Sequence, residues 1–339
     1  MNKFIVCIFG MVIMTCTAQA QSIAHLTEHG KISLRGLSVV NDNIIWASGS
    51  SGTVGRSVDG GKTWVWAVVK GFEKRDFRDI EAFDASTAII IAVAEPADIL
   101  RTTDGGNTWT AVFTDTSKGM FLDALDFDSG HGEGIVVGDP MNGRIFMAGS
   151  QGMNGNWRPW PIDSRPTAME GEAMFAASGS NVKLVSHLGS GQVDVFLVTG
   201  GKKSRLYFNN KALDLPLLQG KESTGANGID IWEGKKGIIV GGDFAADTVS
   251  RGNCALLEIG GHITVSIPLA GPHGYRSGIA WISADRAICC GTSGVDVTAD
   301  GGKSWTLIST EGYHVCKRAR DGKAVFLAGP HGRISRLDW

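Results

Sequence analysis

The stretch 57–64 reads S-V-D-G-G-K-T-W and decides the fold, because two close copies of it occur elsewhere in the chain. These copies read T-T-D-G-G-N-T-W at 102–109 and T-A-D-G-G-K-S-W at 298–305. In the shared pattern S/T-x-D-x-G-x-x-W, the aspartate can accept hydrogen bonds from nearby backbone N–H groups, and the last glycine tolerates a positive φ. The pattern therefore predicts a tight turn that joins two strands.

Each copy of this box ends in a tryptophan. Trp64, Trp109 and Trp305 stand where the strand after the turn should begin. A tryptophan at this position can bury a large apolar surface against the neighbouring repeat and so fix the spacing between repeats. We therefore interpret the boxes as structural rather than catalytic.

A second signature recurs ahead of the boxes, and it gives the number of repeats. Each repeat contains the same elements in the same order: an alternating strand, a very apolar strand, a third strand, the box turn and a fourth strand. Four strands in about 40 to 50 residues are typical of a β-propeller blade. The seven copies begin at Leu34, Phe77, Phe121, Gly171, Asn227, Tyr275 and Tyr313.

We predict an all-β, seven-bladed propeller with four-stranded blades. The box is degenerate in the third copy, where N-G-N-W remains at 154–157, and it is unrecognisable in the fourth, fifth and seventh. The seventh copy ends after its third strand, so the segment 23–29 should supply the missing strand and close the ring. Closure of this kind removes open sheet edges. A six-bladed ring, as in sialidases, is the alternative.

The N-terminus predicts export. A lysine at position 3 precedes an apolar run over 4–14, and the segment ends in A-Q-A at 18–20. This arrangement is typical of a secretory signal peptide, and the run is too short to span a bilayer as a helix. We predict a signal peptide over 1–20, a single propeller domain over 21–339, and a periplasmic or secreted location. Lipid attachment at Cys16 is the alternative.

Composition narrows the classes of function. Lys3 is the only charged residue within 1–20, so 31 of the 32 basic and all 34 acidic residues remain after cleavage. This near-neutral balance argues against nucleic acid as a partner. The spacing of Cys254, Cys289, Cys290 and Cys316 leaves both disulfides and buried free thiols open. No motif indicates a zinc site or a cofactor.

Charged residues recur at the loops that lead into the innermost strands, which meet around the central channel. The arginines at 35, 78 and 276 are suited to carboxylates or phosphates. The alternative is that they pair with acidic residues of neighbouring blades and tie the ring together. The aligned residues are Arg35, Arg78, Leu122, Glu172, Asn227, Arg276 and His314, and the loops between second and third strands add Glu95, Asp139, His187, Asp243 and His331. We predict a ligand site made of Arg35, Arg78, Glu172, Arg276, Asp139, Asp243, His187 and His314.

The boxes resemble the Asp-box of the bacterial-neuraminidase repeat family. Together with R-G-L-S-V-V at 35–40, G-D-P at 138–140, G-G-D at 241–243 and Y-R-S-G at 275–278, they resemble the photosystem II stability and assembly factor family and its non-photosynthetic bacterial relatives. The resemblance covers nearly the whole mature chain. It implies a seven-bladed ring that binds a protein partner, and it implies nothing photosynthetic.

Two functions remain in view. The first is an exported binding or assembly factor that recognises a protein, or a small anionic or glycan ligand, at the channel mouth. The second is a sialidase-like glycoside hydrolase on the same face, in which Glu172, Asp123 and Tyr275 would take the catalytic roles. Glycosidases generally need two suitably separated carboxyl groups. The motif L-R-G-L at 34–37 departs from the F-R-I-P that sialidases carry there, so we favour the binding function.

Overall fold

The computed structural model describes residues 21–128, 132–154, 156–187, 192–209 and 211–338. They form seven antiparallel sheets, and the innermost strand of each sheet contacts the innermost strand of the next, with the seventh returning to the first. The predicted all-β, seven-bladed propeller is therefore confirmed. The predicted signal peptide over 1–20 lies outside the described residues. Among the residues that are described, no helix is long and apolar enough to cross a membrane.

Within each blade the strands run from the innermost strand outwards. Blade 1 consists of Leu34–Val39, Ile45–Gly49, Thr53–Ser57 and Val65–Val68. Blade 2 consists of Phe77–Ala82, Ala88–Ala92, Ala97–Thr102 and Thr110–Asp115. Blade 3 consists of Leu122–Phe127, Glu133–Met141, Arg144–Gln151 and Arg158–Pro159. Blade 4 consists of Val182–Ser186, Val193–Val198, Arg205–Phe208 and Lys211–Asp214. Blade 5 consists of Thr224–Trp232, Lys236–Asp243, Cys254–Ile259 and Ile263–Ser266. Blade 6 consists of Gly278–Trp281, Ala287–Gly291, Gly294–Thr298 and Thr306–Ser309.

Blade 7 is completed by the N-terminal strand. It consists of Val315–Arg318, Val325–Ala328, Ile334–Asp338 and, as its outermost strand, Ser22–Thr27. The last two strands pair antiparallel over five residue pairs. The prediction that the N-terminal segment closes the ring is confirmed. The sheet of blade 5 is extended beside its innermost strand by two short strands, Gly200–Gly201 and Glu172–Ala173, and short 3-10 turns cover Ile162–Ser164 and Pro330–Gly332.

The box turns have the predicted hydrogen bonds. Asp59 Oδ1 accepts the backbone N–H of Thr63 at 2.9 Å, and Ser57 Oγ accepts the N–H of Gly61 at 2.9 Å, where φ is 83°. The side-chain hydrogen bond from Thr63 is the main cause that lowers the pKa of Asp59 to about 2. The indole N–H of Trp64 donates to the Gly61 carbonyl at 3.1 Å. The other two boxes repeat the bonds to the aspartate and the hydroxyl. Trp305 also repeats the indole bond, whereas the indole N–H of Trp109 has no partner among the described residues.

The box tryptophans differ in burial. Trp305 is 6% exposed and packs in the cluster between blades 5 and 6, whereas Trp64 and Trp109 are half-buried. The four cysteines of the propeller are buried free thiols. The neighbours Cys289 and Cys290 point to opposite faces of their strand and pack in different clusters, as the alternation of a strand requires. The clusters between blades thus form the core of the ring.

The ring has two faces, one at each end of the central channel. The loops that lead into the innermost strands, and the loops between second and third strands, lie on one face, which we call the mouth face. The box turns lie on the opposite face, which we call the box face. There the box glycines donate backbone hydrogen bonds to the first-to-second strand loops, as Gly60 N does to the Asn43 carbonyl.

A β-bulge at the start of the innermost strand fixes which residue faces the mouth. In four blades the strand register shifts there, so Arg35, Arg78, Asp123 and Asn227 are the extra residues. The residue before the bulge can also be recognised by its backbone N–H, which donates to a carbonyl of the preceding blade at Leu34, Leu122 and Tyr313. In blade 6 the residue that makes this bond is Arg276. The sequence alignment was therefore one residue out of phase in blades 3 and 6.

Blade 4 departs most from the predicted phase. Its innermost strand is Val182–Ser186, so the copy predicted at 171–174 lies ahead of the blade instead of at its start. The blade has no recognisable box, and the long segment that leads into it, 160–181, contains only short irregular elements. The prediction of this one repeat was wrong for that reason.

Candidate functional site

Three side chains meet at the channel mouth. Arg35 and Arg78 are close enough for each guanidinium to act on its neighbours electrostatically, and His314 lies beside both. Burial, and then the charges of Arg35 and Arg78, lower the pKa of His314 to about 3. The imidazole is therefore neutral at physiological pH, and the positive charge of the mouth comes from the two arginines.

The two arginines are only partly neutralised. Arg78 forms an ion pair with Asp76 at 3.4 Å in which both side chains are substantially exposed, and its Nε has no hydrogen-bond partner among the described residues. Arg35 donates one long hydrogen bond, 3.5 Å, to the carbonyl of Ala177. Burial and the charge of Arg78 lower the pKa of Arg35, as expected for a cation held beside a like charge. Guanidinium donors thus remain available for an anionic group.

The third predicted arginine does not join them. The Arg276 side chain is fully buried and forms an ion pair with Asp296 of the same blade, with its Nε 2.7 Å from the carboxylate. Its Nη1 bonds the carbonyl of Tyr275 at 2.7 Å and the hydroxyl of Ser293 at 2.9 Å. Because Arg276 stands one residue before the bulge, its side chain turns into the blade. It stabilises blade 6 and is not presented at the mouth.

Glu172 is also held in a closed network. It lies in the short strand beside blade 5, where its carboxylate accepts hydrogen bonds from Arg205 Nε at 3.1 Å, from Tyr207 at 2.9 Å and from Thr199 at 2.5 Å. The Glu172 side chain has no exposed surface. These bonds use the carboxylate fully, so Glu172 secures the loops of blades 4 and 5 and is not available to a ligand.

Two further predicted carboxylates shape loops. Asp139 Oδ1 accepts the N–H of Met174 at 3.0 Å, and burial raises its pKa. Asp243 Oδ1 accepts the N–H of Ala245 at 3.0 Å, and Lys221 lies 3.5 Å from its other oxygen. Both residues lie on the mouth face, as predicted, but the structure does not bring them to the arginine pair.

His187 lies on the opposite face from the one predicted. It follows the innermost strand of blade 4 directly, so it belongs to the box face, and its Nε2 lies 2.6 Å from Asp194. The prediction failed because it placed the strands of blade 4 too early. Glu95 accepts the N–H of Gly119 at 3.0 Å, and His331 lies in the Pro330–Gly332 turn, both on the mouth face.

The three residues named for the glycosidase alternative share no open site. Asp123, Tyr275 and Glu172 are 0%, 4% and 5% exposed. The Tyr275 hydroxyl donates to Asn227 Oδ1 at 2.8 Å. The Asp123 carboxylate has no hydrogen bond of ordinary geometry among the described residues, and burial, with Asp139 next to it, raises its pKa well above the usual range. A sugar could not reach these groups in this structure.

One aromatic ring lies against the arginine pair and two more lie on the same face, and the sequence prediction missed all three. The Arg78 guanidinium lies 5.9 Å from the ring of Phe121. Phe175 and Phe244 meet edge to face at 5.7 Å, and Phe244, which is 49% exposed, lies 6.3 Å from Tyr275. Phe244 belongs to the insertion at 242–253, and an aromatic residue in an insertion is the one signal that could have identified it. We call Arg35, Arg78, His314, Phe121, Phe175 and Phe244 the mouth cluster.

The channel beneath the mouth cluster is closed by the segment 176–181. Ser178 Oγ donates to the Ser277 carbonyl of blade 6 at 2.6 Å, and the carbonyl of Ala177 accepts from Arg35 of blade 1. At Gly179 a side chain would collide with the carboxylate of Asp79 in blade 2, so only glycine fits. The segment is buried throughout and spans the axis. The mouth face is therefore a surface rather than a pore.

These features define the chain as a seven-bladed β-propeller with Asp-box turns, a closed channel mouth and an arginine pair on that mouth. The fold matches that of YCF48, the photosystem II assembly factor. A structure of YCF48 bound to D1 peptide is 14% identical, with a TM-score of 0.62 over 94% of this chain and 95% of that one. YCF48 from Cyanidioschyzon merolae is 16% identical, with a TM-score of 0.59 over 93% and 98%.

About half of an enzyme also has this fold. Niastella koreensis GH74 is 14% identical, with a TM-score of 0.64 over 93% of this chain and 53% of its own length. Neither a protein-family model nor a curated protein sequence matches the chain. At such low identities the structural matches establish the fold, and function has to be argued from the site.

Proposed function

We propose that this chain is an exported binding or assembly factor that holds a polypeptide partner on its mouth face. The observation that carries the proposal is that Arg35 and Arg78 lie near each other and beside His314, with their donors only partly satisfied. A guanidinium pair is suited to a carboxylate of the partner, because each group offers several donors in a fixed plane. The export signal predicted over 1–20 supports a periplasmic or secreted location.

The surroundings of the pair favour a polypeptide over a small anion. Arginine and aromatic residues are the types most enriched at the centres of protein interfaces. Phe244 is half-exposed, Phe121 is partly exposed beside Arg78, and Phe175 is partly exposed against Phe244. The segment 176–181 closes the channel below, so a partner would lie across the mouth instead of entering it. The D1 peptide bound to YCF48 supports the proposal by analogy of fold.

A peptide-display selection on the immobilised chain tests the proposal. We expect the selected peptides to carry aspartate or glutamate beside an apolar residue. An Arg35→Met, Arg78→Met double variant should bind them at least about tenfold more weakly, because hydrogen bonds to charged groups contribute about 1.5–3 kcal/mol each. Lys317→Met, on the opposite side of the closed segment, is the matched control and should bind normally. Selection of no peptide, or equal binding by the double variant, would contradict the proposal.

A further inference from the structure

The central channel is a blind cavity that opens on the box face. Its volume is about 800 Å³, and its lining includes the residues that follow the innermost strands, among them His187, Glu233 and Arg320. At the other end it reaches Ser180, which belongs to the segment that closes the mouth. A cavity of this size lies within the range of small-molecule sites.

Charged groups of both signs line the middle of this cavity. Along an innermost strand, alternate side chains face the channel, so each blade contributes one residue to each tier. The tier near the mouth is mostly small, with Gly36, Ala124, Gly228 and Gly278, which leaves room for the closing segment. The next tier, in blade order, consists of Ser38, Glu81, Asp126, Lys183, Asp230, Ala280 and Lys317, all of which line the cavity.

Three of the charged groups in this tier, Glu81, Asp126 and Lys183, have ionic partners. Lys183 Nζ lies 3.4 Å from Asp126 Oδ2, and Arg320 Nη1 lies 3.0 Å from Glu81 Oε1. Asp126 also accepts the backbone N–H of Leu184 at 2.7 Å, which joins blades 3 and 4. The first pair joins the neighbouring blades 3 and 4, and the second connects blade 7 to blade 2, so both serve the ring and leave little capacity for a ligand.

Asp230 and Lys317 are not joined to each other. Asp230 is oriented by the backbone N–H groups of Ile231, at 3.0 Å, and Trp281, at 2.8 Å, one on each oxygen. Each oxygen keeps a second lone pair. Lys317 makes no hydrogen bond or ion pair with any residue in the described part of the chain, although its charge acts on Asp230 and Glu81. Ala280 of blade 6, the residue between them, has the smallest side chain of the tier.

We propose that this cavity binds a small zwitterion, with its ammonium group at Asp230, its carboxylate at Lys317 and its body over Ala280. A lone cation or a lone anion would meet one attractive and one repulsive charge there, whereas a zwitterion satisfies both. The cavity walls contain three carboxylates and three cations in this region, Glu81, Asp126, Asp230, Lys183, Lys317 and Arg320, so a ligand of zero net charge fits best. Both contacts lie inside the channel, where bulk water screens them less than at the surface.

Isothermal titration of the full chain with two sets of probes tests this site. One set is the free L-amino acids, and the other is glycine, β-alanine, γ-aminobutyrate and ε-aminocaproate, which place the two charges at increasing separation. We expect at least one probe to bind with a dissociation constant of about 10 mM or tighter. The alkylamine and the alkyl carboxylate with the same chain length as the best probe, each of which carries only one of the two charges, should bind at least about tenfold more weakly than that probe.

Variants locate the binding. Lys317→Met and Asp230→Asn should each weaken the best probe by about tenfold or more, and Ala280→Leu, which fills the space between them, should abolish binding. The Arg35→Met, Arg78→Met double variant should bind the probe normally, since it lies on the other side of the closing segment. Circular dichroism and thermal melting confirm that each variant is folded. The proposal is overturned if no probe binds, if the amine or the acid alone binds as well, or if a folded Ala280→Leu variant binds unchanged.

Discussion

Replacement of Trp305 by alanine tests how the boxes hold the ring together. The indole is 6% exposed, packs among Ile238, Val240 and Cys254, and donates to the Gly302 carbonyl at 3.0 Å. A buried tryptophan removes about 150–250 Å² from water, which at about 25 cal/mol per Å² corresponds to roughly 4–6 kcal/mol. Measured tryptophan-to-alanine losses in cores are about 3–5 kcal/mol, so we expect a loss of that size in the free energy of unfolding.

Trp109→Ala is the matched control. The box is the same, but this indole is half-buried and its N–H has no hydrogen-bond partner among the described residues. The sequence alone predicts equal costs at the two positions, whereas the structure predicts roughly 2 kcal/mol here, in proportion to the smaller buried area. Urea unfolding followed by far-UV circular dichroism avoids the loss of tryptophan fluorescence, and an unchanged m-value shows that the transition is comparable. A loss below about 1 kcal/mol at Trp305, or a larger loss at Trp109 than at Trp305, would contradict this prediction.

Three further predictions concern closure and buried charge. Deleting 22–27 should lower the melting temperature of the whole ring, because blade 7 loses its outermost strand; an unchanged melt would disprove closure. Arg205→Met should cost about 3–5 kcal/mol by leaving the Glu172 carboxylate buried and unpaired, and adding Glu172→Gln should restore much of the loss. Burial raises the pKa of Asp123, so the folded chain holds a proton that the unfolded chain releases above about pH 4, and stability falls as pH rises from there. Asp123→Asn should therefore gain stability relative to the natural chain with rising pH, and a difference that does not change with pH would contradict this.

Much of the fold could be predicted from the sequence, because the information is local and repeated. The three boxes specify their own turns through Asp59 and its equivalents, and the number of copies gives the number of blades. Blade 4 could not be placed, since it lacks a box and its lead-in segment folds by contacts with distant blades. The contact of Ser178 with Ser277, for example, joins residues 99 positions apart.

The site was predictable only in part. Arg35 and Arg78 share a bulge position in correctly aligned blades, so the repeat pattern brought them together. The prediction that Arg276 faces the mouth was wrong because the repeats were aligned one residue too early in blade 6. In a strand, a shift of one residue moves the side chain to the opposite side. The charges of the blind channel were not identified, because their spacing is that of an ordinary strand and their meaning depends on which blades are neighbours.

The most direct measurement of the central claim is a hydrogen–deuterium exchange footprint of the full chain with a selected acidic peptide bound. We predict slower exchange in the mouth-face segments 33–36, 76–79 and 242–248, with no change in the box turns. Protection confined to the box face, or an unchanged footprint at saturating peptide, would contradict the assignment of the mouth cluster as the binding surface.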